Sequence, residues 1–187
     1  MGGCPVRILL CHECIVFRYG VDRVLLLLAR GFRQLGCEVT PLGQRFDATS
    51  EGPPFSDRVL RMLPSDPTMR ADVDAVTWLA GHWEEFFGGG LRPDIVVTAG
   101  WPFLSAVALF ESRGCRVVYQ DHGIIPTEGY PEIGWRTLQL LRELKEAFVP
   151  LASAVVAVSD FVRREQSAAV AAAGQRVELI ANGVDHA

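Results

Sequence analysis

The stretch Ala154-Val-Val-Ala-Val158 opens the segment that decides the fold of this chain. It runs into Ser159-Asp160-Phe161, and a later apolar run, Val177-Glu-Leu-Ile180, leads into Asn182-Gly-Val-Asp185. Between the two runs lies a helical pattern whose first turn Ser159 can cap and whose positive end the Asp160 carboxylate complements. Strand, capped helix, strand and sharp turn in this order are typical of a parallel βαβ unit.

The same alternation extends over the whole chain. Apolar runs predict strands at Val6 to Cys11, Glu38 to Leu42, Asp94 to Thr98, Arg116 to Tyr119, Ala154 to Val158 and Val177 to Ile180. Helical patterns lie between them, at Val21 to Leu35, Asp72 to Phe87, Pro102 to Arg113, Trp135 to Phe148 and Ser159 to Gly174. The segment from Gly43 to Ala71 is the least regular, with a short helical pattern around Arg58 to Leu63.

This alternation predicts a single α/β domain over residues 1–187. We expect a Rossmann-like, doubly wound sheet of about six mainly parallel strands with helices on both faces. In the common strand order 3-2-1-4-5-6, the binding crevice lies between the first and fourth strands. The loops Glu13 to Gly20 and Gln120 to Thr127 would then line it.

Composition narrows the class of protein. A chain of 187 residues can bury a core without disulfides or metals, and its 49% hydrophobic content fits a sheet covered on both faces. The net charge of −4 and scattered arginines argue against a nucleic-acid partner. No apolar run approaches the roughly 18 to 20 residues that span a bilayer, and no secretory signal pattern opens the sequence. We expect a cytoplasmic protein, with peripheral contact with a membrane-borne acceptor left open.

The five cysteines have no paired spacing, which fits a reducing compartment. Cys11-His12-Glu13-Cys14 could supply three corners of a zinc site. No second close pair accompanies it, so we favour the alternative of a buried strand end that carries small apolar thiols. The sequence therefore predicts neither a metal nor a cofactor.

Two motifs carry a family resemblance. Val158-Ser-Asp-Phe-Val162 and Asn182-Gly-Val-Asp185, at their spacing here, resemble the end of the N-terminal domain of glycosyltransferase family 4, the retaining nucleotide-sugar enzymes of the GT-B fold. The resemblance implies an acceptor-binding domain that works with a second Rossmann-like domain of similar size. In the family, the Asn-Gly turn leads towards that second domain, so the resemblance implies that Asn182 and Gly183 form a hinge.

The first candidate site loop ends in Tyr19-Gly20, at the start of a helix. Free backbone N–H groups and the helix dipole favour an anion there, such as a diphosphate, and a glycine lets the anion approach closely. A simple tight turn explains the same glycine equally well. The resemblance implies that Tyr19 and Gly20 bind substrate, although family 4 usually has two adjacent glycines and then a glutamate, where this chain has Tyr19-Gly20-Val21-Asp22.

The second candidate loop, Gln120-Asp121-His122-Gly123, directly follows a predicted strand. His122 should therefore emerge at the crevice, the alternative being a buried structural histidine. Family 4 enzymes carry a histidine at this point, where it contacts the transferred sugar. The resemblance implies that His122 is the catalytic residue and that Asp121 and Gly123 bind substrate. Asp121 could instead act as a base, orient His122 or cap the following turn.

On this resemblance, the chain helps to move a sugar from a nucleotide-sugar donor to an acceptor hydroxyl with retention. In the family, the groups that meet the charge of the departing diphosphate belong to the second domain, so we expect the chain alone to be inactive. An apolar face without that domain could drive self-association. The main alternative is a non-catalytic binding module for a small anionic ligand or a partner protein. A sugar-nucleotide epimerase is a further one, for which no convincing acid and base pair is visible.

Overall fold

Among the described residues, seven parallel strands form one central sheet. The computed structural model describes residues 5–15, 20–46, 55–56, 58–62, 71–123, 132–172, 174 and 177–181. The strands of this sheet are β1 (Arg7–Cys11), β3 (Glu38–Gly43), β5 (Leu60–Arg61), β6 (Ile95–Thr98), β7 (Arg116–Asp121), β8 (Ala154–Ala157) and β9 (Val177–Leu179). A separate parallel pair joins β2 (Cys14–Ile15) to β4 (Arg45–Phe46), just past β1 and β3 in the chain.

The strands lie in the order β5-β3-β1-β6-β7-β8-β9. The predicted α/β class and Rossmann-like parallel sheet are confirmed, with seven strands rather than about six. Counted along the chain, this order is 3-2-1-4-5-6-7, so the expected order 3-2-1-4-5-6 is found with one further strand at its end. The sequence did not predict β5, the third strand, so the numbering of the predicted runs was wrong: β6, the third run, lies beside β1, and β7, the fourth run, lies one place further out. β5 has only two residues, too few for the sequence to show a strand period there.

Six helices connect the described strands: α1 (Gly20–Gln34), α2 (Ala71–Gly81), α3 (Trp83–Phe87), α4 (Ala106–Ser112), α5 (Glu132–Phe148) and α6 (Asp160–Ala172). The predicted Asp72 to Phe87 helix is interrupted at His82, and the third predicted helix begins at Ala106 because residues 101–105 form turns. Gly36, at φ 81°, follows α1 in the left-handed conformation that glycine adopts without strain.

Strand alternation divides the core between the two faces of the sheet. On one face, Leu9, Val96 and Val117 belong to the larger buried cluster, which also contains residues of α2, α3, α4 and α6. On the other face, Ile8 and Val97 pack with residues of α1 in a smaller cluster. Both faces of the central strands are therefore covered, which explains their nearly continuous apolar sequences.

The irregular segment contributes an edge strand instead of a helix. Leu60 and Arg61 pair with Leu42 and Gly43 of β3, so the helical pattern that we predicted around Arg58 to Leu63 is wrong where the structure describes it. A short apolar run fits strand and helix periods equally well, and the open edge of β3 decides between them. In the described residues, no helix combines the length and apolarity needed to cross a membrane.

Candidate active site

The carboxyl ends of β1, β6 and β7 meet at one edge of the sheet. Cys11 is in register with Thr98, and Thr98 with Tyr119. His12 follows β1 directly and His122 follows β7 directly, so both histidines lie at this edge. In an open parallel sheet, ligands bind beyond the carboxyl ends of the strands near the point where strand order reverses. That point is β1 here, since the chain builds outwards from it in both directions.

Unpartnered polar atoms collect at this edge. Among the described residues, five side chains there bury an oxygen or nitrogen without a hydrogen bond: His12 Nδ1, Thr98 Oγ1, Gln120 Oε1, Asp121 Oδ2 and His122 Nε2. Each such atom costs on the order of 1–3 kcal/mol when it stays unsatisfied. Buried polar groups in native proteins are otherwise almost always paired, so this concentration marks the edge as a place for a polar ligand or ordered water.

A cavity of about 290 Å³ opens beside His122. The loop after β6 lines it through Gly100 and Trp101, and α5 lines it through Leu141. Sequence reasoning missed this loop because, without β5, the run that forms β7 was counted as the fourth strand and placed next to β1. Gly100 has φ 120°, a conformation that other residues rarely adopt, and an added Cβ would lie 3.8 Å from the Tyr119 hydroxyl.

His122 is half-buried and lines this cavity. Burial lowers the pKa of its imidazole; the Asp121 carboxylate opposes the shift, and the Lys145 ammonium adds to it. The ring is therefore neutral near pH 7, with one nitrogen that can donate a hydrogen bond and one that can accept. The alternative of a histidine enclosed in the apolar core does not match this placement.

Asp121 and Lys145 form a buried ion pair beneath His122. Lys145 Nζ donates to Asp121 Oδ1 at 2.8 Å and to the Gly123 carbonyl oxygen at 2.7 Å, while the Gly123 amide donates to Asp121 Oδ1 at 3.0 Å. Asp121 is 1% exposed and Lys145 is 10% exposed. Of the alternatives for Asp121, the geometry matches capping of the following turn. Gly123, at φ 144°, supplies the backbone conformation which that turn requires.

Sequence reasoning also missed Lys145, although a signal was present. It stands one turn after Leu141 on the inward stripe of α5, where a charged residue breaks an apolar pattern. A charge on the buried face of a helix requires a partner. The sequence did not identify that partner, because Asp121 lies on a different element of the fold.

His12 forms a second polar contact at the edge. Its Nε2 lies 3.0 Å from Asp22 Oδ1 in the first turn of α1, and the two side chains are 17% and 2% exposed. Burial, and then the positive charge of His122 when that ring is protonated, lower the pKa of His12 to about 4 despite the neighbouring carboxylate. The sequence singled out His12 only as a candidate metal ligand.

The side chain of Cys11, the neighbour of His12, lies on the face of the sheet opposite to α1. Its side chain is fully buried in the larger core cluster, where burial and then Cys115 raise the pKa of the thiol. Among the residues that the structure describes, no three His, Cys, Asp or Glu side chains are grouped to hold a metal ion.

Gly20 is exposed at the first position of α1, and an added Cβ there would meet nothing within 4 Å. The structure therefore brings the start of α1 to the same edge as His122, through the contact between Asp22 and His12. Tyr19, Asn182 and Gly183, the other predicted substrate-binding and hinge residues, lie outside the described residues.

Comparison with known proteins identifies the family of this chain. The model of Glycosyltransferase Family 4 matches residues 19–187. The chain belongs to this family, as the resemblance of its motifs predicted. No curated protein sequence matches the chain.

Solved structures share the fold. Anabaena Alr3699/HepE in complex with UDP and glucose superposes with a TM-score of 0.57 at 19% identity, over 96% of this chain and 45% of that one. A glycosyltransferase from Rickettsia africae gives 0.56 at 15% identity, over 97% of this chain and 44% of that one. A putative UDP-N-acetylglucosamine 2-epimerase from Listeria monocytogenes gives 0.53 at 10% identity, over 93% and 44%. The chain thus spans slightly less than half the length of these proteins, and at such identities the likeness concerns the fold alone.

Proposed function

We propose that the chain forms the N-terminal, acceptor-binding domain of a retaining glycosyltransferase. Such an enzyme moves a sugar from a nucleotide-sugar donor to an acceptor hydroxyl. Membership of Glycosyltransferase Family 4 supports the reaction class. The observation that carries the site is the half-buried His122, whose Nε2 has no partner among the described residues, beside a cavity of about 290 Å³.

His122 has the chemistry that a sugar contact requires. A neutral imidazole can accept a hydrogen bond from a sugar hydroxyl. Its lone pair can also stabilise the partial positive charge that grows on the sugar ring as the bond to the diphosphate breaks. The neighbouring ion pair fixes the turn from Asp121 to Gly123, so the backbone that carries the ring is held in place before substrate binds. Preorganisation of this kind lowers the cost of reaching the transition state.

The start of α1 is the proposed contact for the donor diphosphate. Unpaired N–H groups of a first helical turn and the helix dipole favour an anion, and Gly20 leaves open space for a close approach. Tyr19 precedes this turn in the chain. We place the remaining donor contacts on a second domain of similar size, joined through the hinge at Asn182 and Gly183.

Because these donor contacts lie on the second domain, we expect the isolated chain to be inactive. Each missing electrostatic group of an active site typically costs about 10²-fold to 10³-fold in rate. UDP-glucose is the first donor to test, because Anabaena Alr3699/HepE was solved in complex with UDP and glucose. We expect a cytoplasmic enzyme whose acceptor provides a hydroxyl group and can lie at a membrane surface.

The decisive experiment measures sugar transfer by the full-length protein with UDP-linked and GDP-linked hexoses. We expect His122→Ala to lower turnover by about two orders of magnitude. His82→Ala is the matched control, because His82 stacks on Trp78 away from this edge. Unchanged turnover in His122→Ala, or ligand binding without transfer by the parent protein, would favour a non-catalytic binding module instead.

Gly20→Ala tests the diphosphate contact separately. The added methyl meets nothing in the folded protein, so the free energy of unfolding should stay within about 0.5 kcal/mol of the parent value. A methyl between the backbone and a diphosphate should nevertheless weaken donor binding, which isothermal calorimetry with UDP measures. Equal UDP affinity in the two proteins would place the diphosphate elsewhere.

A further inference from the structure

The contact between His12 and Asp22 fixes which imidazole nitrogen carries the proton. A carboxylate can only accept hydrogen bonds, so Nε2 of the neutral His12 ring carries the hydrogen and donates it to Asp22 Oδ1 at 3.0 Å. Nδ1 then keeps a lone pair. Asp22 acts on the ring as a positioning partner, since it sets both the tautomer and the ring orientation.

The lone pair on Nδ1 has no donor among the described residues, although the atom is buried. A buried acceptor without a donor is costly, and such atoms commonly find their partner in a bound ligand. This tautomer restricts the ligand groups that Nδ1 can bind. Nδ1 in this tautomer only accepts, so it suits a hydroxyl or another neutral donor and disfavours an anion.

His12 also stands in the right place. It follows β1, the strand at which the sheet order reverses, and the residue before it, Cys11, is in register with Thr98 of β6, which is in register with Tyr119 of β7. The two histidines, one from each side of β6, thus border the same part of the edge. Their unpartnered nitrogens, His12 Nδ1 and His122 Nε2, form a pair of hydrogen-bonding groups suited to a molecule with several hydroxyls.

We propose that His12, held by Asp22, is a second substrate-binding residue of this site, whose Nδ1 accepts a hydrogen bond from a hydroxyl of the bound sugar. This assignment rests on the proposed transferase function. His122 binds the substrate from the β7 side and His12 from the β1 side. Asp22 touches no substrate and acts through His12.

Two substitutions separate the ring nitrogens. His12→Asn would place an amide acceptor close to the position of Nδ1, whereas the longer side chain in His12→Gln would reach the position of Nε2 and leave nothing at Nδ1. We therefore expect His12→Gln to lower kcat/KM about tenfold, the typical effect of losing one neutral hydrogen bond, and His12→Asn to keep more of the activity. His82→Gln should leave kcat/KM unchanged. The assay uses the full-length protein with the nucleotide sugar on which the parent is most active.

Nitrogen NMR of the histidine rings supplies a readout that a structural role would not move. In the free protein, His12 should show a neutral ring with the hydrogen on Nε2 at pH 7, and addition of the sugar donor should shift the Nδ1 resonance. A hydrogen on Nδ1, an Nδ1 signal that ignores the donor, or equal kcat/KM in His12→Gln and the parent would each overturn the proposal.

The outcomes also separate this inference from the proposed function. If His122→Ala loses turnover while His12→Gln does not, His12 is structural and the transferase stands. If no nucleotide sugar supports transfer by the parent, the transferase fails and the role of His12 fails with it.

Discussion

The buried ion pair between Lys145 and Asp121 allows the sharpest prediction about stability. Lys145→Met keeps the length of the side chain but removes its charge and both of its hydrogen bonds, at 2.8 and 2.7 Å. Asp121, 1% exposed, would then hold its charge with the Gly123 amide as its described donor. Removing one partner of a buried pair typically costs about 3–5 kcal/mol, and we expect a loss in this range.

A double-mutant cycle in urea measures this loss. Asp121→Asn in the Lys145→Met background removes the stranded charge and keeps an acceptor for the Gly123 amide, so it should recover at least about 2 kcal/mol of the free energy of unfolding. Arg142→Met is the matched control on the same helix. Arg142 pairs with Glu146 at side-chain exposures of 58% and 56%, where such a pair contributes about 0.3–0.5 kcal/mol.

The reasoning is refuted if Lys145→Met and Arg142→Met cost the same. That result would mean that Asp121 is solvated in the folded protein and that the turn from Asp121 to Gly123 does not depend on the pair. A loss of several kcal/mol without any recovery in the double variant would instead indicate that packing of the lysine stem, rather than its charge, stabilises α5.

Two further predictions follow from the edge of the sheet. Folding lowers the pKa of His12 from 6.5 to about 4, so the unfolded state binds more protons between these values, and lowering the pH from about 6.5 to 4 should remove up to about 3 kcal/mol of stability. Urea unfolding across this range should show a shallower pH slope for His12→Asn; an unchanged slope would contradict the buried neutral ring. Gly43→Ala would put a methyl 2.6 Å from the His12 carbonyl oxygen, so we expect a loss of about 1–3 kcal/mol. Gly20→Ala, with open space around it, is the control, and equal stability of the two variants would argue against the close packing of β3 on the His12 loop.

The helices show how far local pattern reaches. The apolar stripe from Val21 to Leu35 predicted α1 to within one residue at each end, and Gly36 marked its end, because amphipathic spacing and a left-handed glycine are properties of the local chain. The pattern from Arg58 to Leu63 misled for the opposite reason. A two-residue strand has no period of its own and exists only through its pairing with β3.

For the candidate site as well, the sequence predicted local features and missed contacts between distant segments. The sequence placed His122 at the end of a strand, and hence at the carboxyl edge of a parallel sheet. It did not identify Lys145 as the partner of Asp121 or Asp22 as the partner of His12. Both partners lie on helices whose rotation and distance from the strand ends are set by packing.

By itself, the sequence determined the α/β class, most of the helices and strands, the family and the loop that bears His122, because each depends on residues close together in the chain. Only the tertiary structure decided that β6 lies between β1 and β7, that Asp121 caps a turn and pairs with a lysine, and that His12 contacts Asp22 of α1. These features arise from contacts between distant segments, whose free energy depends on which surfaces meet when the chain packs.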